Sequence, residues 1–227
     1  DSKVKKIVFS STCATYGIPK YVPLNEEHPQ NPINPYGESK LMFEKILKWY
    51  HEIHGLQYVA FRYFNAAGAG ENRGQSHREM SHLIPNVLQV ALGQKDHCSI
   101  LGTDYPTSDG TCIRDYIHIS DLASAHIKAI ESEVSGYFNL GTGQGYSVRE
   151  VIQTCEKITG KSIACKEQPR RAGDPPELVA DPSKAQNTFG WKAQCSSLEE
   201  IVASAWKWHN EHPHGYPSAA EPAQTNQ

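Results

Sequence analysis

The feature that most constrains this chain is a pair of apolar runs separated by one helix-like segment. KIVFSS (residues 6–11) ends in small polar residues, as a buried parallel strand does where it runs out at its carboxyl end. QYVAFRYFNAAGAG is a second run of β-branched and aromatic residues that breaks into a polar residue and glycines. Between them, YGESKLMFEKILKWYHEIHG places apolar residues at Leu41, Met42, Ile46, Leu47 and Trp49 or Tyr50, with Gly55 after the last turn. That spacing predicts an amphipathic helix with a glycine stop. Strand, helix, strand in this order predicts a right-handed parallel crossover.

The pattern continues along the chain. A proline-rich loop fills residues 18–35, residues 71–80 read as an exposed loop, and SHLIPNVLQVALGQ reads as a helix stopped at Gly93. A strand, a turn at residues 108–110, another strand and a helix capped by Ser120 or Asp121 follow. GYFNLGTGQGYSVREVIQTCEKITG predicts a strand, a glycine loop and a helix whose capping box is Ser147 with Glu150. A strand near residues 163–167 and a helix over 198–209 close the fold, and the tail after Pro213 is expected to fray. Alternating strands and helices give an α/β class with a parallel sheet.

Composition narrows the function. Hydrophobic residues make up 38% and charged residues 21%, with no apolar run near the ~20 residues of a membrane span. A net charge of -3, with basic residues scattered, argues against nucleic acid as a partner. Six cysteines without a CxxC pair suit idle thiols in a reducing, cytoplasmic setting rather than a zinc site or a disulfide framework. The chain enters a strand almost at once without a starting methionine or signal peptide, so it is expected to begin in the middle of a fold.

Four constellations stand out. In SSTCATYG (residues 10–17), ligands of an open parallel sheet would lie beyond the strand end, where Ser11 and Thr12 would present their hydroxyls. The alternative is a Ser/Thr turn that satisfies its own backbone. In NPYGESK, Tyr36 and Lys40 sit one turn apart on a helix started by Pro35, and an ammonium so placed makes a tyrosine hydroxyl a better general base. Such pairs also occur by chance. Arg114 followed by Asp115 reads either as an anion-binding group or as a surface ion pair of little energetic worth. GTGQG (residues 141–145) follows a strand and precedes a helix, but its GxGxG spacing is not that of a dinucleotide loop, and a structural turn is the better reading. HEIH (residues 51–54) lacks the zinc spacing and reads as a solvated helix end; His209, His212 and His214 are expected at the surface, with Trp206 and Trp208 packing the last helix down.

Strand, Ser/Thr turn, proline loop and YxxxK in sequence resemble the active site of the short-chain dehydrogenase/reductase superfamily. FSSTCATYG, NPYGESKLMFEKIL, RYFNAAGA, LGTDYPTSDGTCIRDYIHISDLASAHIKAIE, FNLGTGQGYSV, RRAGDPPELVADPSKAQ and WHNEHPHGYP resemble the UDP-glucose 4-epimerase family along essentially the whole chain. The resemblance implies the C-terminal part of a Rossmann-like doubly wound parallel sheet (residues 1–66) plus a smaller α/β substrate domain (67–212). Segments near 98–122 and 136–147 would be interleaved with the first, and 213–227 would be a flexible tail.

The same resemblance implies NAD as cofactor and a UDP-sugar as substrate. Tyr36 would take the proton from the sugar 4-hydroxyl, Lys40 would bind the nicotinamide ribose, and Thr12 would be the helper hydroxyl, offering the donor and acceptor of the serine often found there. Hydride would pass from C4 to NAD and return to the other face of the 4-keto sugar. Ser10, Ser11 and Phe64 would also lie at the cofactor. Asn65, Leu83, Ser99, Leu101, Arg114, Tyr116, Arg171 and Asp174 would surround the substrate, with the arginines on the pyrophosphate, and Leu178 would bear on the size of the C2 substituent. Leucine leaves hexoses, N-acetylhexosamines, pentoses and uronates open. Related dehydratases carry an Asp-Glu pair beside the Ser/Thr; Cys13 and Ala14 stand there instead, which disfavours dehydration. The family's glycine-rich adenosine loop belongs before Lys6, so the chain is expected to bind NAD poorly by itself. A homodimer through two helices per subunit, one of them including LMFEKILKWY, is also implied.

Overall fold

β1 (Lys6–Thr12) and β2 (Gln57–Tyr63) run parallel, in register from Lys6 opposite Gln57 to Thr12 opposite Tyr63. α1 (Pro35–His54) makes the crossover between them. It starts where Asn34 accepts a hydrogen bond from the Gly37 amide at 2.8 Å, and it ends at Gly55, whose φ of 69° is the left-handed conformation that glycine adopts without strain. The structure, a computed structural model, describes residues 4–77 and 80–216. Residues 78 and 79 of the expected loop and 217–227 of the expected tail lie outside the described residues. The preceding turn of that tail is seated, with the Tyr216 ring 4.8 Å from that of Trp208.

β2 pairs on its other side with β6 (Gly136–Leu140), giving a parallel sheet ordered β1-β2-β6. A second sheet joins β3 (Asn65–Ala67), β5 (Ile113–His118) and the short antiparallel β7 (Gly145–Ser147), with β9 (Glu177–Leu178) also on β5. β4 (Cys98–Leu101) and β8 (Cys165–Gln168) form a parallel pair. β3, β7, β9 and α5 (Ser183–Phe189) are too short for a periodicity to announce them as separate elements.

Two large apolar cores result, beside two smaller clusters. One is formed by α2 (Leu83–Ala91), α4 (Val148–Thr159) and α6 (Leu198–Glu211) against β4 and β5, with Val87, Leu88, Val151, Ile201 and Val202 almost fully buried. The other packs α3 (Ile119–Glu131) and α5 on the first sheet, around Val59, Phe61, Ile117, Leu140 and Trp191. Each starts where local chemistry dictates: α4 and α6 open on capping boxes, Ser147 with Glu150 and Ser197 with Glu200. α3 departs from expectation, because His118 caps it by accepting from the Ser120 amide at 3.0 Å. Asp121 is instead buried and accepts from the amides of Gln194 and Cys195.

α1 departs too. Its apolar residues split between two faces: Leu41 and Leu47 turn into the sheet, while Met42, Phe43, Ile46, Trp49, Tyr50 and Ile53 remain exposed. Among the described residues, no helix is long and apolar enough to cross a membrane.

Candidate active site

The site is built at the carboxyl ends of β1 and β2. Thr12 is the last residue of β1; it is buried, and its hydroxyl accepts from the Ala14 amide at 3.2 Å, capping a single 3-10 turn at Cys13–Thr15. This is the Ser/Thr-turn reading of SSTCATYG, a turn that satisfies its own backbone at a strand end. Tyr36 stands in the first turn of α1 with its side chain 56% exposed, free to meet a ligand. Lys40, one turn on, holds its Nζ 5.7 Å from the centre of the Tyr36 ring and 4.9 Å from that of Phe9, and donates to the Ser10 carbonyl at 2.9 Å. An ammonium has three donors, so two are left for a ligand.

Ser11 corrects the expectation for its hydroxyl. Successive strand residues point to opposite faces, and Ser11 points inward, donating to Glu44 at 2.5 Å, rather than toward a crevice. Ser10 is exposed and its hydroxyl shares a 2.9 Å hydrogen bond with Tyr63, whose hydroxyl lies 2.6 Å from His126 Nε2. Burial holds the Tyr63 phenol above its ordinary range. Phe64 is buried against Cys13, Tyr16, Leu24 and Ala180, with Leu178 packed beside them.

Beyond this lies a cavity of about 400 Å³. Asn65 of β3 and Leu83 of α2 line it, as do Ser99 and Leu101 of β4, Arg114 and Tyr116 of β5, and Arg171 and Asp174 of the following loop. All eight residues expected around the substrate other than Leu178 and the Thr12–Tyr36 couple are thus gathered in one wall. Leu178 does not line the cavity; it pairs with Arg114 across β9 and β5. Arg114 is no surface group and does not pair with Asp115. It is buried and donates through Nη2 to Asp174 at 2.5 Å and through Nη1 to the Ile113 carbonyl at 2.7 Å.

Gln75, His82, Asn86, Lys95 and His209, none of them expected, also line this cavity. For Asn86 a signal existed, since it lies one turn from Leu83 on α2. His209 corrects the expectation of a surface residue: it is buried, and its imidazole is held below its ordinary range by burial alone. Lys95, Arg114 and Arg171 are the lysine and arginines of the wall, and Asp174 is its carboxylate. Three cations against one anion make the lining suited to a polyanionic ligand.

The GTGQG loop is a structural turn. Asp115 is fully buried behind it and accepts from the Thr142 amide at 2.9 Å, the Thr142 hydroxyl at 2.8 Å, the Gly143 amide at 3.0 Å and the Ala180 amide at 3.1 Å. The amides that would cradle a phosphate are already occupied. A Cβ on Gly141 would lie 2.5 Å from that of Ala180, which explains the glycine. At the helix end of HEIH, the His51 ring bonds the Leu56 carbonyl at 3.0 Å.

The family model described as GDP-mannose 4,6 dehydratase matches residues 1–205. A UDP-glucose 4-epimerase of Halalkalibacterium halodurans is 56% identical over 94% of this chain and 66% of that protein, and one of Lactobacillus helveticus is 48% identical over 95% and 67%. Among solved structures, the UDP-glucose 4-epimerase of Bifidobacterium longum, in complex with NAD+ and UDP, superposes with a TM-score of 0.89 at 42% identity, covering 94% of this chain and 66% of that one. The Brucella ovis enzyme in complex with NAD gives 0.86 at 47% identity, over 89% and 64%. The chain spans about two thirds of the length of these relatives. It belongs to the UDP-glucose 4-epimerase family, within the broader family described as GDP-mannose 4,6 dehydratase.

Proposed function

We propose that the chain carries the acid–base couple and the sugar-nucleotide pocket of an NAD-dependent enzyme interconverting UDP-glucose and UDP-galactose. The observation that carries this reading is the cavity, which gathers three cations and one carboxylate and is lined by Asn65, two residues beyond the carboxyl end of β2. Arg114 and Arg171 would hold the diphosphate and Asp174 a ribose hydroxyl. Tyr36 would remove the proton from the sugar 4-hydroxyl, with Thr12 sharing that proton, and would return it once the ring has turned over.

The residues present suit the nicotinamide end of NAD: Lys40 keeps two N–H donors and holds the Ser10 carbonyl, and Tyr36 is open. When bound, NAD supplies the acceptor and donor of the hydride. Dehydration is disfavoured because Ala14 carries no acid and burial pushes the Cys13 thiol up to about 12. Epimerisation of a UDP-pentose, a UDP-N-acetylhexosamine or a UDP-uronate uses the same groups, and Leu178 does not decide among them. A catalytically silent nucleotide-sugar binding module is the reading from another class.

The assay is conversion of UDP-galactose to UDP-glucose by this chain preceded by the glycine-loop third of its 56% identical relative. A folded protein that converts no UDP-sugar would make the binding module the better account. The chain by itself is expected to bind NAD weakly; tight binding in a calorimetric titration would refute that. The exposed apolar face of α1, from Met42 to Ile53, supports a homodimer through this helix, which sedimentation would read directly. A cytoplasmic setting belongs to the same reading, and all six cysteines are free thiols.

A further inference from the structure

Beneath the proposed acid–base couple lies a polar cluster that takes no part in proton transfer. Glu44 is the one ionisable side chain among the buried residues of α1, and it is 1% exposed. Its carboxylate accepts from Arg62 twice, Nε at 3.1 Å and Nη2 at 2.7 Å, and from Ser11 Oγ at 2.5 Å and Gln30 Nε2 at 3.1 Å. Arg62, 2% exposed, gives its remaining nitrogen to the Tyr16 hydroxyl at 3.0 Å, with a longer contact to the Glu26 carbonyl at 3.4 Å. Every acceptor position of the carboxylate is filled, and each partner stands on a different part of the chain.

Such a pair is a poor device for stability alone, because desolvation offsets most of the attraction and apolar residues of equal volume often serve as well. What it supplies is register. An apolar contact tolerates a helix that slides or turns; a forked and fully bonded carboxylate does not, since rotation by one residue, about 100°, would strand a buried charge. Its attachments are also adjacent to the site. Ser11 precedes Thr12, Arg62 stands two residues before Phe64, and Glu44 lies one turn beyond Lys40. Two turns nearer the start of the same helix, Gly37 meets the backbone after Thr12 so closely that a Cβ would lie 2.5 Å from the Ala14 carbonyl oxygen. α1 is therefore fixed at two points that bracket Lys40, whose Nζ reaches the Ser10 carbonyl at 2.9 Å.

We propose that Glu44 and Arg62 are positioning residues for catalysis: they set the axial and rotational register of α1, and so place Tyr36 and Lys40 against Thr12. This rests on the reading of those three as the reactive couple. The test uses the NAD-loaded protein at the relatives' full length, with Glu44→Leu and Arg62→Met combined so that neither charge is stranded. The denaturation midpoint and the KM for the UDP-sugar should stay close to those of the unaltered protein, since the cavity stands on the other core. kcat should fall at least tenfold, and a crystal structure should show Lys40 displaced from the Ser10 carbonyl. Arg62→Lys, which keeps the charge but not the fork, is the second variant should the double one not fold, with the same split expected. A kcat within twofold of the unaltered protein in the folded variant, or an unmoved Lys40, would overturn the proposal. If the unaltered protein shows no turnover, the catalytic reading fails, and the position of Lys40 still decides whether the pair sets the helix.

Discussion

Replacing Arg114 by methionine tests the pocket without requiring catalysis or NAD. Its guanidinium is 9% exposed at the side chain and bonded to Asp174, itself 25% exposed, in a wall that also carries Lys95 and Arg171. A hydrogen bond to a charged group contributes about 1.5–3 kcal/mol, which corresponds to a factor of about 10–150 in Kd. Removing Arg114 also leaves Asp174 uncompensated beside an incoming diphosphate, which places the expected loss toward the upper end. Two cations remain, so binding is weakened and not abolished. Calorimetric titration of UDP into the chain and into Arg114→Met measures this, and the affinity of the unaltered chain should fall faster with added salt. Arg170→Met is the control, since that side chain sits outside the cavity over the Tyr105 ring, 4.3 Å from its centre, and bonds Asp104 at 2.6 Å. Unchanged UDP affinity in Arg114→Met, or an equal loss in Arg170→Met, would refute the assignment of the diphosphate to this wall.

Other outcomes follow from the same geometry. Tyr36→Phe at the relatives' full length should lower turnover by about 100-fold or more and leave UDP binding nearly unchanged, because only the proton-transfer hydroxyl is lost; steady-state kinetics with calorimetry checks both halves. Trp191→Ala should destabilise by about 3–5 kcal/mol, since the indole is 2% exposed and donates to the Asp121 carbonyl and Ser124 hydroxyl; urea unfolding measures it. Burial holds the His209 imidazole below its ordinary value, so the unfolded chain binds the extra proton first, and stability is lost as pH falls below about 6.5. Half-buried Glu26 and buried Asp115, held above the usual carboxylate range by desolvation, act in the opposite direction. The difference in unfolding free energy between the unaltered chain and His209→Gln across pH 7 to 5.5 isolates the histidine, and parallel curves would contradict it.

Most of the regular elements could be read from the sequence, because the longer ones announce themselves. The crossover from β1 through α1 to β2 rests on two apolar runs and a capped helix, and the capping box of α4 on Ser147 and Glu150. What stayed hidden depends on contacts between distant residues. The two-faced character of α1 needs the sheet to show which apolar residues turn inward. The capping of α3 by His118 and the burial of Asp121 depend on the loop at 194–196. In the site, Tyr36 and Lys40 were visible from their spacing, whereas Lys95 and His209 reach the cavity only through the packing of α2, β4 and α6. The inward turn of Ser11 could not be seen without Glu44, 33 residues away.

β5 belongs to both cores at once. Arg114 faces the cavity and Tyr116 packs with α4 and α6, while Ile117 lies in the core of the first sheet and Asp115 ties down the loop at 141–143 and the strand end at Ala180. A strand stitched in this way cannot serve as a hinge: swinging one half against the other would tear a buried carboxylate from four donors. A ligand must therefore reach the cavity without the two cores swinging apart.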